Sequence, residues 1–137
     1  MKHQEKSYGL VVVGGGHAGI EAALIAHKRG IKTLLISMDK NAVGRTSCNP
    51  AVGGLAKGQM VKEVDVLGGV MGVFADLSTL QSKTLNKSKG RSVWSPRSQI
   101  DKNLYEKIAQ GCLKKVNLGV LEAEVVSLHI KNNSICG

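Results

Sequence analysis

The residues best suited to chemistry in this sequence lie in the glycine-rich stretch "GGGHAG", residues 14–19. Gly14, Gly16 and Gly19 have the spacing G-x-G-x-x-G. In this pattern the first glycine permits a tight turn, the second lets the backbone approach a pyrophosphate, and the third lets a helix pack closely on a strand. The N-terminus of that helix offers free N–H groups to the phosphates. The stretch therefore predicts a dinucleotide pyrophosphate site.

The position that usually distinguishes one dinucleotide from another holds a serine. The pattern expects Asp or Glu at the end of the second strand, about 20 residues on, to bind a ribose hydroxyl. Ser37 occupies that place, and Asp39 comes two residues later. The residues alone therefore leave NAD, NADP and FAD open.

Two side chains near the glycines are candidates for further chemistry. Cys48, in "SCNP", could act as a nucleophile or position a substrate if its thiolate were stabilised; alternatively it is a small, buried loop residue. His17 could bond a phosphate or a flavin edge through its ring. We favour the reading in which its backbone N–H binds while the ring packs. The three cysteines are widely spaced and form no zinc pattern, so we expect no metal site.

The elements around the glycines predict a βαβ unit. Residues 10–13 are a short apolar run, typical of a strand buried on both faces. Apolar residues then recur at helical spacing from His17, and Gly30 stands where that helix should end. Residues 31–37 read as a second strand. A strand, a glycine turn, a helix and a strand in this order predict an α/β, Rossmann-like fold.

The remaining chain gives coarser expectations. Residues 39–58 lack a period and read as a long ordered loop of the kind that often carries function. Residues 60–67 and 98–116 read as helices, with Cys112 on the apolar face of the second. Residues 120–123 and 125–130 alternate like strands, residues 131–134 read as a turn, and Ile135 and Cys136 as the start of another strand.

The charge of the chain favours a polyanionic partner; alternatively, it reflects a basic proteome or a fragment of a more neutral protein. Lys and Arg outnumber Asp and Glu by 19 to 10, which gives a net charge of +9. Residues 83–102 are especially basic, and we expect either RNA contact or a solvated loop or dimer contact there. No apolar run reaches the length of a membrane span. We expect a cytoplasmic protein that does not enter a membrane.

A family resemblance narrows these alternatives. Beyond the glycine stretch, "SCNPAVGG" at residues 47–54, "VKEVDVLGG" at 61–69 and "LNKSKG" at 85–90 are specific motifs. With them the chain, from about residue 8 to 127, resembles the N-terminal part of the GidA/MnmG family of tRNA uridine-5-carboxymethylaminomethyl modification enzymes.

The resemblance implies a glutathione-reductase-like FAD-binding fold, with residues 1–137 as the N-terminal part of one FAD-binding domain. It implies that FAD is held by Gly14, Gly15, Gly16, His17, Ala18 and Gly19, and by the backbone of Val125 in a strand (or Val126, one residue on). The catalytic candidate in this chain remains Cys48, on the residue-level argument given above.

For the full-length parent, the resemblance implies a homodimer that joins a GTPase in a heterotetramer. It also implies addition of a carboxymethylaminomethyl or aminomethyl group at C5 of the wobble uridine of tRNA. Methylenetetrahydrofolate and NADH would be consumed. Because family members are several hundred residues long, we expect this chain alone to be an inactive fragment.

Two alternatives stay open at this point. A generic FAD- or NAD-dependent oxidoreductase of a small molecule needs only the βαβ unit. A truncated, non-catalytic remnant would retain the motifs without the activity.

Overall fold

The computed structural model of the protein describes residues 7–137. Its helices and strands follow the sequence in a mixed α/β order. Within the described range the α-helices are α1 His17–Lys28, α2 Lys57–Val66, α3 Met71–Leu77 and α4 Lys102–Lys115. The strands are β1 Leu10–Val13, β2 Thr33–Ser37, β3 Ala51–Gly53, β4 Thr79–Leu85, β5 Ser95–Ile100, β6 Gly119–Glu122, β7 Ile130–Lys131 and β8 Ser134–Ile135.

The predicted βαβ unit is confirmed. β1, β2 and β6 form a parallel sheet in the order β1-β2-β6, with Val12 opposite Leu35. Gly30, at φ +78°, follows the end of α1, a backbone conformation that glycine adopts without a steric penalty. The α/β, Rossmann-like class predicted from the sequence therefore describes this part of the chain.

The expectation that β1 is buried on both faces is wrong. Val11 and Val13 are 46% and 60% exposed. The reason is that the buried core joins residues of α1, β2 and α4, such as Ala23, Leu35 and Ala109, on one face of the sheet. The other face carries the exposed valines.

The second sheet was not predicted. β3, β5 and β4 form an antiparallel sheet in the order β3-β5-β4, in which Lys83 pairs with Arg97. Most side chains of β4 are exposed and polar, so these strands lack the apolar alternation that marks a strand in sequence. The predicted loop 39–58 in fact contains the 3₁₀ turn Lys40–Ala42, β3 and the first residues of α2.

Helix boundaries differ from the prediction for local reasons. The helix expected from residue 98 begins only at Lys102, because residues 98–100 pair in β5 and the Asp101 carboxylate caps α4 by accepting the Leu104 N–H at 3.0 Å. At the other end of the chain, residues 125–130 do not form the strand expected from alternation; only Ile130 belongs to one, the hairpin β7–β8.

Helix α3 was also missed, because its start is fixed from a distant part of the sequence. The Glu21 carboxylate, on α1, accepts the Val70 N–H at 2.9 Å and the Met71 N–H at 2.6 Å. A carboxylate at a helix N-terminus satisfies free N–H groups and interacts favourably with the helix dipole. Glu21 therefore joins α3 to the helix that follows the glycine turn.

Tyr105 lies at the centre of the core. Its ring is 1% exposed and makes edge-to-face contacts with Phe74 and His17, at centroid distances of 5.9 and 5.4 Å. Burial, with a contribution from Glu21, raises the pKa of the Tyr105 phenol far above its usual value. Cys112 packs partly buried against the same core, as predicted.

Among residues 7–137, no helix is long and apolar enough to cross a membrane.

Candidate dinucleotide site

The glycine turn between β1 and α1 has inner and outer positions. Gly14, at φ +108°, donates its N–H to the Ile36 carbonyl at 2.8 Å. A Cβ on Gly19 would lie only 1.9 Å from the Gly14 carbonyl oxygen, so only glycine fits there. A Cβ on Gly16, by contrast, would meet no protein atom within 4 Å. The outer surface of the turn, at Gly14, Gly16 and Ala18, is open to a ligand.

Helix α1 begins at this open surface. Gly16 is its N-cap residue, and no side chain of the described protein caps it. The first N–H groups of an α-helix have no partner within the helix. The turn thus presents free donors and the positive end of the α1 dipole, which together can bind a phosphate.

The inner side of the turn rests on the end of β2. A Cβ on Gly15 would lie 2.7 Å from Val43 Cγ2 and 3.1 Å from Ser37 Oγ, and the Gly15 carbonyl accepts the Gly44 N–H at 2.9 Å. Ser37 donates its hydroxyl to the Asp39 carbonyl at 2.9 Å. Ser37 therefore lies directly beside the glycine turn, at the place of the missing ribose acid.

A carboxylate that the sequence did not point to lies at the same strand ends. Glu122, the last residue of β6, pairs in register with Ser37. Its Oε2 accepts the Lys40 N–H at 3.1 Å. Only the pairing of β6 with β2 brings it there, so spacing along the chain gave no signal for it.

A cleft of about 310 Å³ opens beside the start of α1. It collects residues from the loop before β3, from the start of α2 and from β5. Its lining residues are His17, Thr46, Ser47, Cys48, Asn49, Ala51, Gly53, Lys57 and Arg97. The structure therefore brings together His17 and Cys48, which the sequence singled out separately, with Arg97 of the basic segment 83–102, and adds Thr46, which the sequence did not single out.

His17 contributes both its backbone and its ring to this region. The ring packs edge-on against Tyr105, as the packing interpretation expected, yet its Nδ1 is buried and has no hydrogen-bond partner within the described chain. Burial, and then the positive charge of Lys57, lowers the pKa of His17. Both effects favour the neutral form of the imidazole.

Cys48 is exposed, which contradicts the alternative of a small buried residue. Its carbonyl accepts a hydrogen bond from Lys102 Nζ at 2.8 Å, so the loop is tied to the start of α4. A thiol at the edge of a cleft is accessible to a substrate.

Val125 lies apart from these residues. It was expected in a strand, but the segment after β6 has no strand until Ile130, and Val125 is 39% exposed.

Within residues 7–137, no group of three or more His, Cys, Asp or Glu side chains could hold a metal ion.

Comparison with known proteins shows the family of this chain. The profile of the family described as "Glucose inhibited division protein A" matches residues 9–137. The chain belongs to this family. Among curated GidA-family relatives, the tRNA uridine 5-carboxymethylaminomethyl modification enzyme MnmG of Endomicrobium trichonymphae is 48% identical over 97% of this chain. The enzyme of the same name from Karelsulcia muelleri is 50% identical over 96%.

Solved structures agree with the GidA assignment. Aquifex aeolicus GidA, in its form I crystal, matches 95% of this chain with a TM-score of 0.91 and 45% identity. A geranylgeranyl bacteriochlorophyll reductase-like protein from Thermoplasma acidophilum matches with a TM-score of 0.59 at 17% identity, which shows a shared fold alone. The chain spans 22% of the length of the two curated relatives above and of Aquifex GidA.

Proposed function

We propose that this chain binds FAD as part of a flavoenzyme that modifies the wobble uridine of tRNA. The observation that carries the proposal is the open, uncapped glycine turn at the start of α1 in a chain of the GidA family. Its relatives are named tRNA uridine 5-carboxymethylaminomethyl modification enzymes, and the same activity is proposed for the protein that carries this chain.

The residues present fit FAD. A Cβ on Gly16 would meet no atom of the described chain within 4 Å, so the backbone there is open to the approach of a pyrophosphate. His17 and Thr46, which line the adjoining cleft, each carry a buried polar atom without a hydrogen-bond partner among residues 7–137. When bound, FAD would supply redox chemistry that the side chains of this chain do not offer.

Each site residue expected from the sequence has a proposed role. Gly14, Gly15, Gly16, His17, Ala18 and Gly19 would wrap the pyrophosphate, with the free N–H groups at the start of α1 as donors, because the Gly14 N–H is already bonded to the Ile36 carbonyl. Val125, three residues beyond β6, would contact the adenine through its backbone. Cys48 would act in the cleft, either as a nucleophile or by positioning the uridine.

The surface of the second sheet that carries the basic residues Lys83 and Arg97 is proposed to contact tRNA phosphates. Lys83 and Arg97 are cross-strand partners on β4 and β5, and Arg97 also lines the cleft. Phosphate contacts of this kind position an RNA without reading its sequence. A polyanion bound along this sheet would therefore lie next to Cys48.

The other expectations concern the whole protein and are proposed for it. Residues 1–137 would be the N-terminal part of one FAD-binding domain. Methylenetetrahydrofolate would supply a carbon and NADH the reducing equivalents. The protein would be a cytoplasmic homodimer that forms a heterotetramer with a GTPase.

The experiment is genetic and chemical. A full-length protein carrying this chain is expressed in a strain that lacks the wobble-uridine modification, and digested tRNA nucleosides are measured by mass spectrometry. We expect the wild-type protein to restore the modified nucleoside. The amount of this nucleoside should be lower with Cys48→Ala and equal to the wild-type amount with the control Cys136→Ala. A purified protein without flavin would contradict the cofactor, and a flavoprotein that leaves tRNA unmodified would contradict the substrate.

A further inference from the structure

The connection between β4 and β5, residues 86–94, forms an exposed basic tip on the second sheet. The sequence has no Asp or Glu at all among residues 77–100. The basic side chains of the tip are exposed and make no salt bridge within residues 7–137; they are Lys87, Lys89 and Arg91. An uncompensated cluster of cations at the surface favours a polyanionic partner.

Trp94, the one tryptophan of the sequence, stands at the end of this tip with its ring held in place. Its Nε1–H donates to the Lys87 carbonyl at 3.3 Å. The Arg91 guanidinium lies over the ring, 5.8 Å from the ring centroid, within the range of a cation–π contact. The ring is nevertheless 41% exposed and does not belong to the buried core. The tip therefore holds a large aromatic side chain at the surface.

A fixed aromatic ring among cations matches the chemistry of an unpaired nucleobase with its phosphates. Proteins that bind single-stranded RNA stack its bases on aromatic rings and arginine planes and bind its backbone with basic side chains. A protein partner that covered Trp94 would have to remove the neighbouring cations from water, which is costly unless each is paired. RNA phosphates would pair with them. The tip therefore favours single-stranded RNA.

The tip lies within reach of the cleft that holds Cys48. Trp94 immediately precedes β5, and Arg97, three residues later on that strand, lines the cleft. Three residues of extended chain span about 10 Å. Phosphates of one nucleic-acid strand are spaced by about 3.4 Å along a helix axis, so a few nucleotides cover this distance. An RNA with one base in the cleft can therefore place a nearby unpaired base on the tip.

We propose that Trp94, backed by Arg91, stacks on an unpaired base close to the uridine that enters the cleft, while Lys87 and Lys89 contact phosphates. This rests on the proposed tRNA substrate and adds a contact to a second nucleotide. Because every base has an aromatic face, such stacking tolerates any sequence. Trp94 would therefore fix the position of the RNA loop without selecting its bases.

The test titrates the full-length protein that carries this chain with two RNAs. One is an anticodon stem-loop with an unmodified wobble uridine, and the other is a fully paired RNA duplex with the same number of phosphates. Trp94→Leu removes the ring but keeps an apolar side chain, Trp94→Phe keeps a ring, and Lys89→Gln removes one charge. Val93→Ala is the matched control, because Val93 is 39% exposed on the same tip. Fluorescence anisotropy of labelled RNA gives the association constants at several salt concentrations.

We expect Trp94→Leu to bind the stem-loop about tenfold more weakly than the wild type, with the same dependence on salt, and to bind the duplex equally well. Trp94→Phe should retain most of the affinity, and Val93→Ala all of it. Lys89→Gln should instead reduce the slope of log K against log salt, by about 0.7–0.9. The intrinsic fluorescence of the wild type minus that of Trp94→Phe isolates Trp94, and the stem-loop, but not the duplex, should quench it.

Equal stem-loop affinity in Trp94→Leu and the wild type, without quenching of Trp94, would overturn this inference and leave the proposed function standing. Equal weakening of stem-loop and duplex binding would also overturn it, since a base in a duplex is not free to stack on the ring. The same loss in Val93→Ala as in Trp94→Leu would show that the shape of the tip matters and not the ring. A wild-type protein that binds neither RNA would overturn the proposed tRNA contact together with this inference.

Discussion

Replacing Gly19 with alanine tests the packing of α1 on the glycine turn. The new Cβ would lie 1.9 Å from the Gly14 carbonyl oxygen, whereas ordinary contact begins at 3.4 Å. Either the turn or α1 must therefore move by about 1.5 Å, in a region packed too densely to absorb it without cost. α1 cannot move freely, because Ile20, Ala23 and Leu24 are buried in the core.

The expected magnitude follows from two opposing effects. Overpacking a dense interior costs about 1–3 kcal/mol. Glycine to alanine within a helix gains up to about 1 kcal/mol when there is room. The clash should dominate at Gly19, so a net cost of up to about 2 kcal/mol should lower the Tm by up to about 8 °C for a chain of this size.

A matched variant isolates the clash from helix propensity. Gly111 lies within α4, and a Cβ there would meet no atom within 4 Å. Gly111→Ala should therefore raise the Tm by a few degrees, while Gly19→Ala lowers it, in the same calorimetric scan. A Tm for Gly19→Ala equal to or above that of the wild type would refute the close approach of α1 to the turn.

Three further predictions concern other parts of the structure. The pKa of His17 is lowered in the folded state, so the unfolded chain binds more protons below about pH 6.5 and the stability of the fold falls as the pH falls. His17→Phe should therefore show a smaller fall in Tm than the wild type between about pH 7 and pH 5. An identical fall in the two proteins would contradict the lowered pKa of His17. Glu21→Ala should cost about 1–3 kcal/mol in urea unfolding because the Val70 N–H loses its acceptor, and no change would argue against this cap. Gly53→Ala should destabilise the second sheet by a similar amount, for two reasons: Gly53 has a φ of +97°, and its new Cβ would lie 2.2 Å from the Pro96 carbonyl oxygen. A variant that melts like the wild type would show that β3 and β5 are less closely packed.

The βαβ unit was predictable because its signals are local. The apolar run before Gly14, the helical spacing after it and Gly30 at the helix end all act within one stretch of chain. The family motifs extended this reading to the loop that carries Cys48. Local pattern and tertiary structure agree for the order and type of the elements β1, α1 and β2.

The features that were missed depend on contacts across long sequence separations. α3 starts where Glu21, 49 residues before Val70, accepts its N–H. β4 and β5 are held by pairing between mostly exposed, polar strands, which leave no apolar period. Thr46 gave no signal at all, because the lack of a hydrogen-bond partner for its Oγ1 among residues 7–137 depends on the folded surroundings and not on the residue type.

The most direct test of the central claim is an FAD titration of the wild-type chain and of Gly16→Ala, followed by flavin fluorescence. Gly16 has an ordinary φ of −74° and open space beyond its Cα, so the alanine should leave the Tm within about 4 °C of the wild type. Its methyl group would occupy the surface that approaches the pyrophosphate. The account predicts that the wild type binds FAD and that Gly16→Ala binds it at least about tenfold more weakly, a difference of about 1.4 kcal/mol. Equal affinity in the two proteins, or no binding by the wild type, would contradict it.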